Sequence, residues 1–229
     1  MYLHYLDPLQ PDQAFPSLDT ALKEPDGLLA VGGCLTPTRL INAYRHGIFP
    51  WFNPGESILW WSPDPRLILF PEKLKVSRSL KKTLRHRRFY ITYNHSFNNV
   101  VQFCAAPRDE HGGTWITTSM QEAYRVLYQR GIAHSIEVWQ EGELVGGLYG
   151  VAIGRVFFGE SMFHRVTDAS KVAFVGLVER LIDWGYELVD CQVSSGHLIS
   201  LGAENIPRAK FIELLDCYCE QSPTAGAWE

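Results

Sequence analysis

Two apolar runs decide the fold: Arg155-Val-Phe-Phe-Gly-Glu160 and Tyr186-Glu-Leu-Val-Asp-Cys-Gln-Val193, separated by a helical pattern that begins at Asp168 and ends near Trp184-Gly185. Both runs read as apolar β-strands. Asp190 and Gln192 stand two residues apart, so alternation places them on one face of the second strand, with Cys191 on the other. A carboxylate and an amide in so apolar a setting need hydrogen-bond partners. Glu160 closes the first run, so the two strand ends are expected to present polar groups to one cleft. A reaction centre and a pair of satisfied structural acids both remain open readings here.

Working outward, His134–Gln140 and Glu143–Ile153 form a hairpin about Gly142, and Arg155–Glu160 continues it as a meander. Upstream, Phe89–Tyr93 reads as a strand and Ser96–Ala105 as a short helix. Thr118-x-x-Gln121 resembles a capping box for a helix carrying Met120, Ala123, Tyr124, Leu127 and Tyr128 on its apolar face. Downstream, a short helix ends at Gly202 and Pro207 opens a last one through Phe211, Leu214 and Leu215. Meander, crossover helix and further strand resemble the order of the general acyltransferase superfamily abbreviated GNAT. That likeness implies a mixed, mostly antiparallel sheet flanked by helices (an α+β fold), whose strands splay around the crossover to hold an acyl donor. Acetyl-CoA users in that superfamily carry a glycine-rich pyrophosphate loop before the helix. The corresponding segment here, Phe163-His-Arg-Val-Thr-Asp-Ala-Ser170, has no glycine, which points to a donor other than an acyl-CoA.

Residues 1–65 differ in character and are expected to form a small N-terminal α/β domain, with a GNAT-like catalytic domain over 66–229. One helix stands out, with Thr36 as N-cap, Pro37 at its first position, Leu40, Ile41 and Tyr44 on one face, and Gly47 as its stop. Five aromatics lie between Phe49 and Trp61. They suit either a stacking platform for bases or the core of a small domain. Pro63-Asp-Pro65 marks the boundary.

The net charge of −4 conceals an asymmetry. Lys73, Lys75, Arg78, Lys81, Lys82, Arg85, Arg87 and Arg88 fall within sixteen residues that contain no acid. A concentrated basic helix on an acidic body is the footprint of a phosphate-bearing partner, whereas helices built for solubility mix their signs. The five cysteines form no zinc pattern and read as free thiols. No metal and no cofactor is expected. No apolar run approaches the roughly 20 residues of a membrane span, and the first residues lack the features of a signal peptide, so the expected compartment is the cytoplasm.

Several segments together resemble one family, the bacterial leucyl/phenylalanyl-tRNA–protein transferases. They are Phe15-Pro-Ser17, Glu24-Pro-Asp-Gly-Leu-Leu-Ala30, Gly47-Ile-Phe-Pro-Trp-Phe52, Leu59-Trp-Trp-Ser-Pro-Asp-Pro-Arg66, Gly113-Thr-Trp-Ile116 and His134-Ser-Ile-Glu-Val-Trp139. They continue through Leu144-Val-Gly-Gly147, Gly159-Glu-Ser-Met-Phe163, Ala169-Ser-Lys171, Asp190-Cys-Gln-Val193, Ser200-Leu-Gly-Ala203 and Ile206-Pro-Arg208. The resemblance implies transfer of Leu or Phe, and less well Met, from aminoacyl-tRNA to the α-amino group of proteins beginning with Arg or Lys, which marks them for degradation. It implies that Asp190 and Gln192 act on the attacking amine, with Glu160 a further active-site acid. It also implies that Trp51 and Trp115 sit at the aminoacyl-adenosine site, that Leu148, Leu177 and Leu181 line an apolar side-chain pocket, and that Ser195 contacts substrate.

The chemistry suits these residues. An ester donor is already activated, so positioning and proton transfer suffice. A neutral amide is a poor base, which favours Asp190 polarising and orienting Gln192, with Asp190 acting through a water or ribose hydroxyl as the alternative. Glu160 is the leading candidate to attract a basic N-terminal residue. An acyl-CoA-dependent N-acyltransferase and a non-catalytic tRNA-binding module are the rival functions.

Overall fold

A computed structural model describes residues 3–86, 88–106 and 114–229. Among these residues the chain forms two sheets. The first holds β1 (His4–Leu6), β2 (Leu28–Gly32), β3 (Phe49–Pro50) and β4 (Leu59–Trp61) in the order β1-β2-β4-β3, with helix α1 (Pro37–Arg45) between β2 and β3. The reason α1 starts where it does is local: the Thr36 hydroxyl accepts from the Arg39 amide and Pro37 occupies the first turn. Gly47, at φ +69°, lets the chain leave the helix.

The chain crosses to the second sheet at Pro63–Pro65. That sheet uses β5 (Arg66–Leu69), β6 (Tyr90–Tyr93), β7 (Ala133–Gln140), β8 (Glu143–Ile153), β9 (Val156–His164), β10 (Leu188–Gln192) and β11 (Glu204–Ile206), ordered β11-β5-β10-β9-β8-β7-β6. Its helices are α2 (Arg78–Arg85), α3 (Phe97–Cys104), α4 (Thr118–Gln129), α5 (Ala169–Asp183), α6 (Gly196–Ser200) and α7 (Arg208–Tyr218). The strand pairs are antiparallel except β9–β10, which is parallel and is bridged by α5. This is the expected mixed, mostly antiparallel sheet with one crossover helix.

The feature that matters for function is how briefly β9 and β10 stay together. They pair at Leu188–Val156, Val189–Phe157 and Asp190–Phe158, after which β9 continues against β8 as far as His164. A bulge in β10 between Asp190 and Gln192, with Gln192 at φ +64°, turns its chain away. The wedge left between the two strands is a cavity.

The two faces of the sheet carry separate cores. Phe158, Tyr149 and Leu188 pack with α1, α3, α4 and the first sheet, so Leu6, Leu29 and Trp60 share one apolar cluster with Phe97 and Tyr124. Phe157, Val189, Leu67 and Leu69 face α5. That helix is buried along most of its length and lies directly on β8: a Cβ at Gly146 would stand 2.6 Å from the Cβ of Ala169.

Several local expectations are corrected. Glu160 does not end its strand but lies in the middle of β9, because the partner that holds the second half of β9 is β8 rather than β10. The cap of α4 is Thr117, whose hydroxyl accepts from the Met120 amide, one residue before the box read from Thr118. Asp168 precedes α5 at φ +69° and makes no capping bond; its carboxylate binds Lys171 and Thr83 instead. Strands β5 and β11 were not foreseen. The basic stretch is helical only over Arg78–Arg85.

Candidate active site

The cavity between the splayed strands holds about 830 Å³. Its lining includes Leu148, Phe157, Phe174 and Leu177, which share the apolar cluster against α5, and the polar pair Glu160 and Gln192, bonded to each other across the gap between β9 and β10. Trp51, Trp115 and Ser195 also line it. Leu181 is fully buried in the α5 core one turn beyond Leu177 and does not line the cavity. Of the aromatic cluster at 49–61, Phe49, Phe52 and Trp60 belong to the core, whereas Trp51 is 44% exposed with Trp61 tilted against it at 5.8 Å.

Asp190 is fully buried and bound at both oxygens by Arg66 of β5, with Nε–Oδ1 2.8 Å and Nη2–Oδ2 2.7 Å. Arg66 is equally buried; its remaining nitrogen donates to the Gly47 carbonyl, and its guanidinium lies over the rings of Phe49 and Phe211. Such a bidentate, aromatic-flanked arrangement holds a buried ion pair rigidly. Asp190 Oδ1 accepts a third bond, from the Gln192 backbone N–H at 2.9 Å. The expected coupling of Asp190 to Gln192 is therefore present, but it runs through the backbone and fixes the left-handed turn rather than polarising the side-chain amide.

The Gln192 side chain answers to Glu160. Its Nε2 donates to Glu160 Oε1 at 2.8 Å, which leaves the amide oxygen directed elsewhere. Glu160 also accepts from Tyr44 of α1 (2.8 Å) and Tyr124 of α4, and the two tyrosine hydroxyls meet at 2.7 Å. Burial raises the Glu160 carboxyl to about 7, with Asp190's charge adding and the tyrosine and glutamine donors opposing. Burial and the Glu160 charge push Tyr44, Tyr124 and Tyr149 well above the usual phenol range, so all three stay protonated. Cys191 is half-buried, packs against the α5 core and also lines the cavity, and burial pushes its thiol up, which disfavours a thiolate there.

Among the described residues, no group of three His, Cys, Asp or Glu is set to hold a metal, and no helix is long and apolar enough to cross a membrane. The basic residues Lys73, Lys75, Arg78, Lys81, Lys82, Arg85 and Arg88 are exposed; Arg87 lies outside the described residues. Lys73 pairs with Glu204. Helix α2 is tied to the start of α5 by the Thr83–Asp168 bond of 3.3 Å, and α5 contributes Ser170, Phe174 and Leu177 to the cavity lining.

The structure gathers Trp51, Trp115, Leu148, Glu160, Leu177, Asp190, Gln192 and Ser195 around one cavity. Sequence reasoning missed Arg66, Tyr44 and Tyr124. Arg66 ends the quoted Ser-Pro-Asp-Pro-Arg segment, and a lone Arg before Leu67-Ile-Leu69 was an available signal of a buried, paired charge. The tyrosines read only as apolar helix-face residues, because spacing cannot say where a hydroxyl points.

Comparison with known proteins places the chain in a family. The family described as leucyl/phenylalanyl-tRNA protein transferase matches residues 68–216, and the N-terminal domain described for it matches residues 33–64. Proteins named leucyl/phenylalanyl-tRNA–protein transferase are similar over most of the chain. One from Methylococcus capsulatus is 58% identical over 99% of this chain and 97% of its own. Another from Pseudomonas aeruginosa is 62% identical over 93% and 94%. Among solved structures, L-PGS from Bacillus licheniformis aligns with TM-score 0.42 at 11% identity, covering 68% of this chain and 50% of its own. A GCN5-related N-acetyltransferase from Kribbella flavida aligns with TM-score 0.38 at 13% identity, over 74% and 60%.

Proposed function

Because the chain belongs to the leucyl/phenylalanyl-tRNA–protein transferase family and is an aminoacyltransferase, we propose that it moves Leu or Phe, and less readily Met, from the 3′ end of the tRNA to proteins beginning with Arg or Lys. The product is a new N-terminal residue that marks the acceptor for degradation, and the working compartment is the cytoplasm. The observation that supports this reading is one cavity in the gap between two strands whose lining combines apolar side chains of the α5 cluster with the bonded pair Gln192–Glu160.

In this reading the donor's Leu or Phe side chain enters the part lined by Leu148 and Leu177, with Leu181 backing it from within α5. Trp51 and Trp115 flank the terminal adenosine, and Ser195 meets the substrate at the β10 side. Residues 1–65 supply Trp51 and Tyr44, and residues 66–229 supply the reacting end. A pocket of this kind discriminates by shape, and one methylene is worth only ~1–3 kcal/mol, so rejection of Met is partial. The exposed basic residues of 73–88 grip tRNA phosphates without reading sequence.

The ester donor already carries a good leaving group. Catalysis therefore consists of holding a neutral amine in line with the carbonyl, which is worth ~7–11 kcal/mol, and of moving one proton. Gln192, its amide nitrogen committed to Glu160, offers its oxygen to an amine hydrogen. Asp190, through Arg66 and the Gln192 backbone, holds that geometry. The deciding experiment mixes pure protein with labelled Phe-tRNA and a peptide beginning with Arg. Label is expected on the peptide α-amino group, none on a peptide beginning with Glu, and none after ribonuclease treatment. Ribonuclease-resistant transfer from an acyl-CoA would overturn the reading.

A further inference from the structure

We propose that Glu160, together with the hydroxyls of Tyr44 and Tyr124, carries the proton that leaves the attacking amine. The proposal rests on the tRNA-dependent reading above and assigns the step that the cavity's other groups leave unfilled.

Asp190 is the obvious base by sequence, yet both of its oxygens are held by a buried cation, whereas those of Glu160 meet only neutral donors. Arg66 binds each Asp190 oxygen, and Oδ1 also holds the Gln192 amide. Protonating Asp190 would strand a guanidinium whose side chain is 1% exposed. The Gln192 amide oxygen is too weak a base to take the amine's proton at neutral pH. His164 and His197 line the cavity as well, but no hydrogen bond joins either to Gln192. Glu160 is the carboxylate bonded to the Gln192 side chain, so an amine on the Gln192 oxygen arrives beside it.

The hydrogen count inside the cluster makes the case from geometry. Tyr44, Tyr124 and Glu160 make three oxygen–oxygen contacts among themselves: Tyr44–Glu160 Oε1, Tyr124–Glu160 Oε2 and Tyr44–Tyr124. With Glu160 ionised, two hydroxyl hydrogens serve three contacts. Adding one proton to Glu160 supplies the third hydrogen and closes the ring, with Glu160 donating to Tyr44, Tyr44 to Tyr124, and Tyr124 back to the other carboxyl oxygen. On this count the same three oxygen–oxygen contacts accommodate the added proton by reorienting hydrogens alone.

The groups facing Glu160 come from four other elements: Tyr44 from α1, Tyr124 from α4, Tyr149 from β8, and Asp190 with Gln192 from β10, the charge of Asp190 being paired with Arg66 of β5. Burial among them brings the Glu160 carboxyl to about 7, near the range of a protein α-amino group, where proton exchange runs close to thermoneutral.

The lone pair of the neutral amine forms the C–N bond, and the carbonyl electron pair moves to oxygen. One N–H proton passes to the Glu160 carboxylate. The oxygen pair returns, the bond from the carbonyl carbon to the ribose 3′ oxygen breaks, and Glu160 gives its proton to that oxygen. An amide and a free 3′ hydroxyl result, with Glu160 ionised again.

The test is the pH dependence of kcat/KM with Phe-tRNA and an Arg-initiated peptide, for wild type, E160Q, Y44F and Y124F. Two ionisations, of the carboxyl and of the substrate amine, give the wild-type logarithmic plot a slope approaching 2 on its acid side. E160Q is expected to lose about 10²- to 10⁴-fold in kcat and to flatten that slope to 1. Y44F and Y124F each remove a donor from the carboxylate and are expected to move the acid limb to higher pH. A slope of 2 retained in E160Q, or a variant whose one defect is a raised KM for the peptide, would overturn the proposal and return Glu160 to charge recognition. Absence of any ribonuclease-sensitive transfer by the wild-type protein would instead sink the underlying functional reading.

Discussion

The two sides of the cavity floor treat a buried carboxylate in opposite ways. On the β5–β10 side Asp190 is matched by a buried guanidinium that fills both its oxygens. On the β9 side Glu160 has only neutral donors, the hydroxyls of Tyr44 and Tyr124 and the amide of Gln192. A full opposite charge makes a carboxylate a fixed strut, because protonation would leave that charge unpaired. Neutral donors compensate burial only in part, so Glu160 sits near the point of gaining a proton. Two carboxylates bind the same glutamine, one at its backbone N–H and one at its side-chain amide, and differ in protonation according to their other partners.

The largest effect expected from breaking this contrast is on the strut. Arg66→Met leaves Asp190 buried and alone, and should cost about 3–5 kcal/mol in denaturant unfolding while abolishing transfer. Combining it with Asp190→Leu should restore most of the stability and none of the activity. Recovery of activity in the double variant would show that the pair does not hold Gln192.

Leucines on one helix sharpen the same division between scaffold and site. Leu181→Ala should cost about 2–5 kcal/mol of stability and leave the ranking of donors unchanged, since that residue lies in the α5 core. Leu177→Ala should instead change the ranking of Leu-, Phe- and Met-tRNA, by about 10- to 200-fold per methylene-sized difference. Comparing kcat/KM for the three donors in both variants decides the matter.

The smallest effect is on how stability follows pH. Glu160 is raised from about 4.5 to about 7, so its contribution is fully present below the lower value and is lost as pH rises through the upper one. His134, stacked on Trp228 and lowered by burial from 6.5 to about 4, acts the other way: its contribution holds above 6.5 and is lost as pH falls through 4. The melting temperature of E160Q should therefore gain on that of wild type between pH 5 and 8. A constant difference across that window would mean that the carboxyl titrates alike in the folded and unfolded chain.

Much of the fold was legible in the chain because its signals are local. The hairpin about Gly142, the crossover helix after Asp168 and the apolar strand at 188–192 follow from periodicity and turn chemistry. Strands β5 and β11 escaped because each is short and pairs with residues distant in sequence. Glu160 was placed at a strand end for a related reason: pattern shows that a strand exists, while its length depends on how long a neighbour accompanies it.

What sequence determined alone was the order of elements and which polar residues interrupt apolar runs, since hydrophobic spacing and backbone preference act over a few residues. Tertiary structure decided which partner each acid received: Arg66 for Asp190, and Tyr44 with Tyr124 for Glu160. Those pairings join residues from 36 to 124 positions apart. A carboxylate's protonation follows the charges and donors within a few ångströms, which the folded chain supplies.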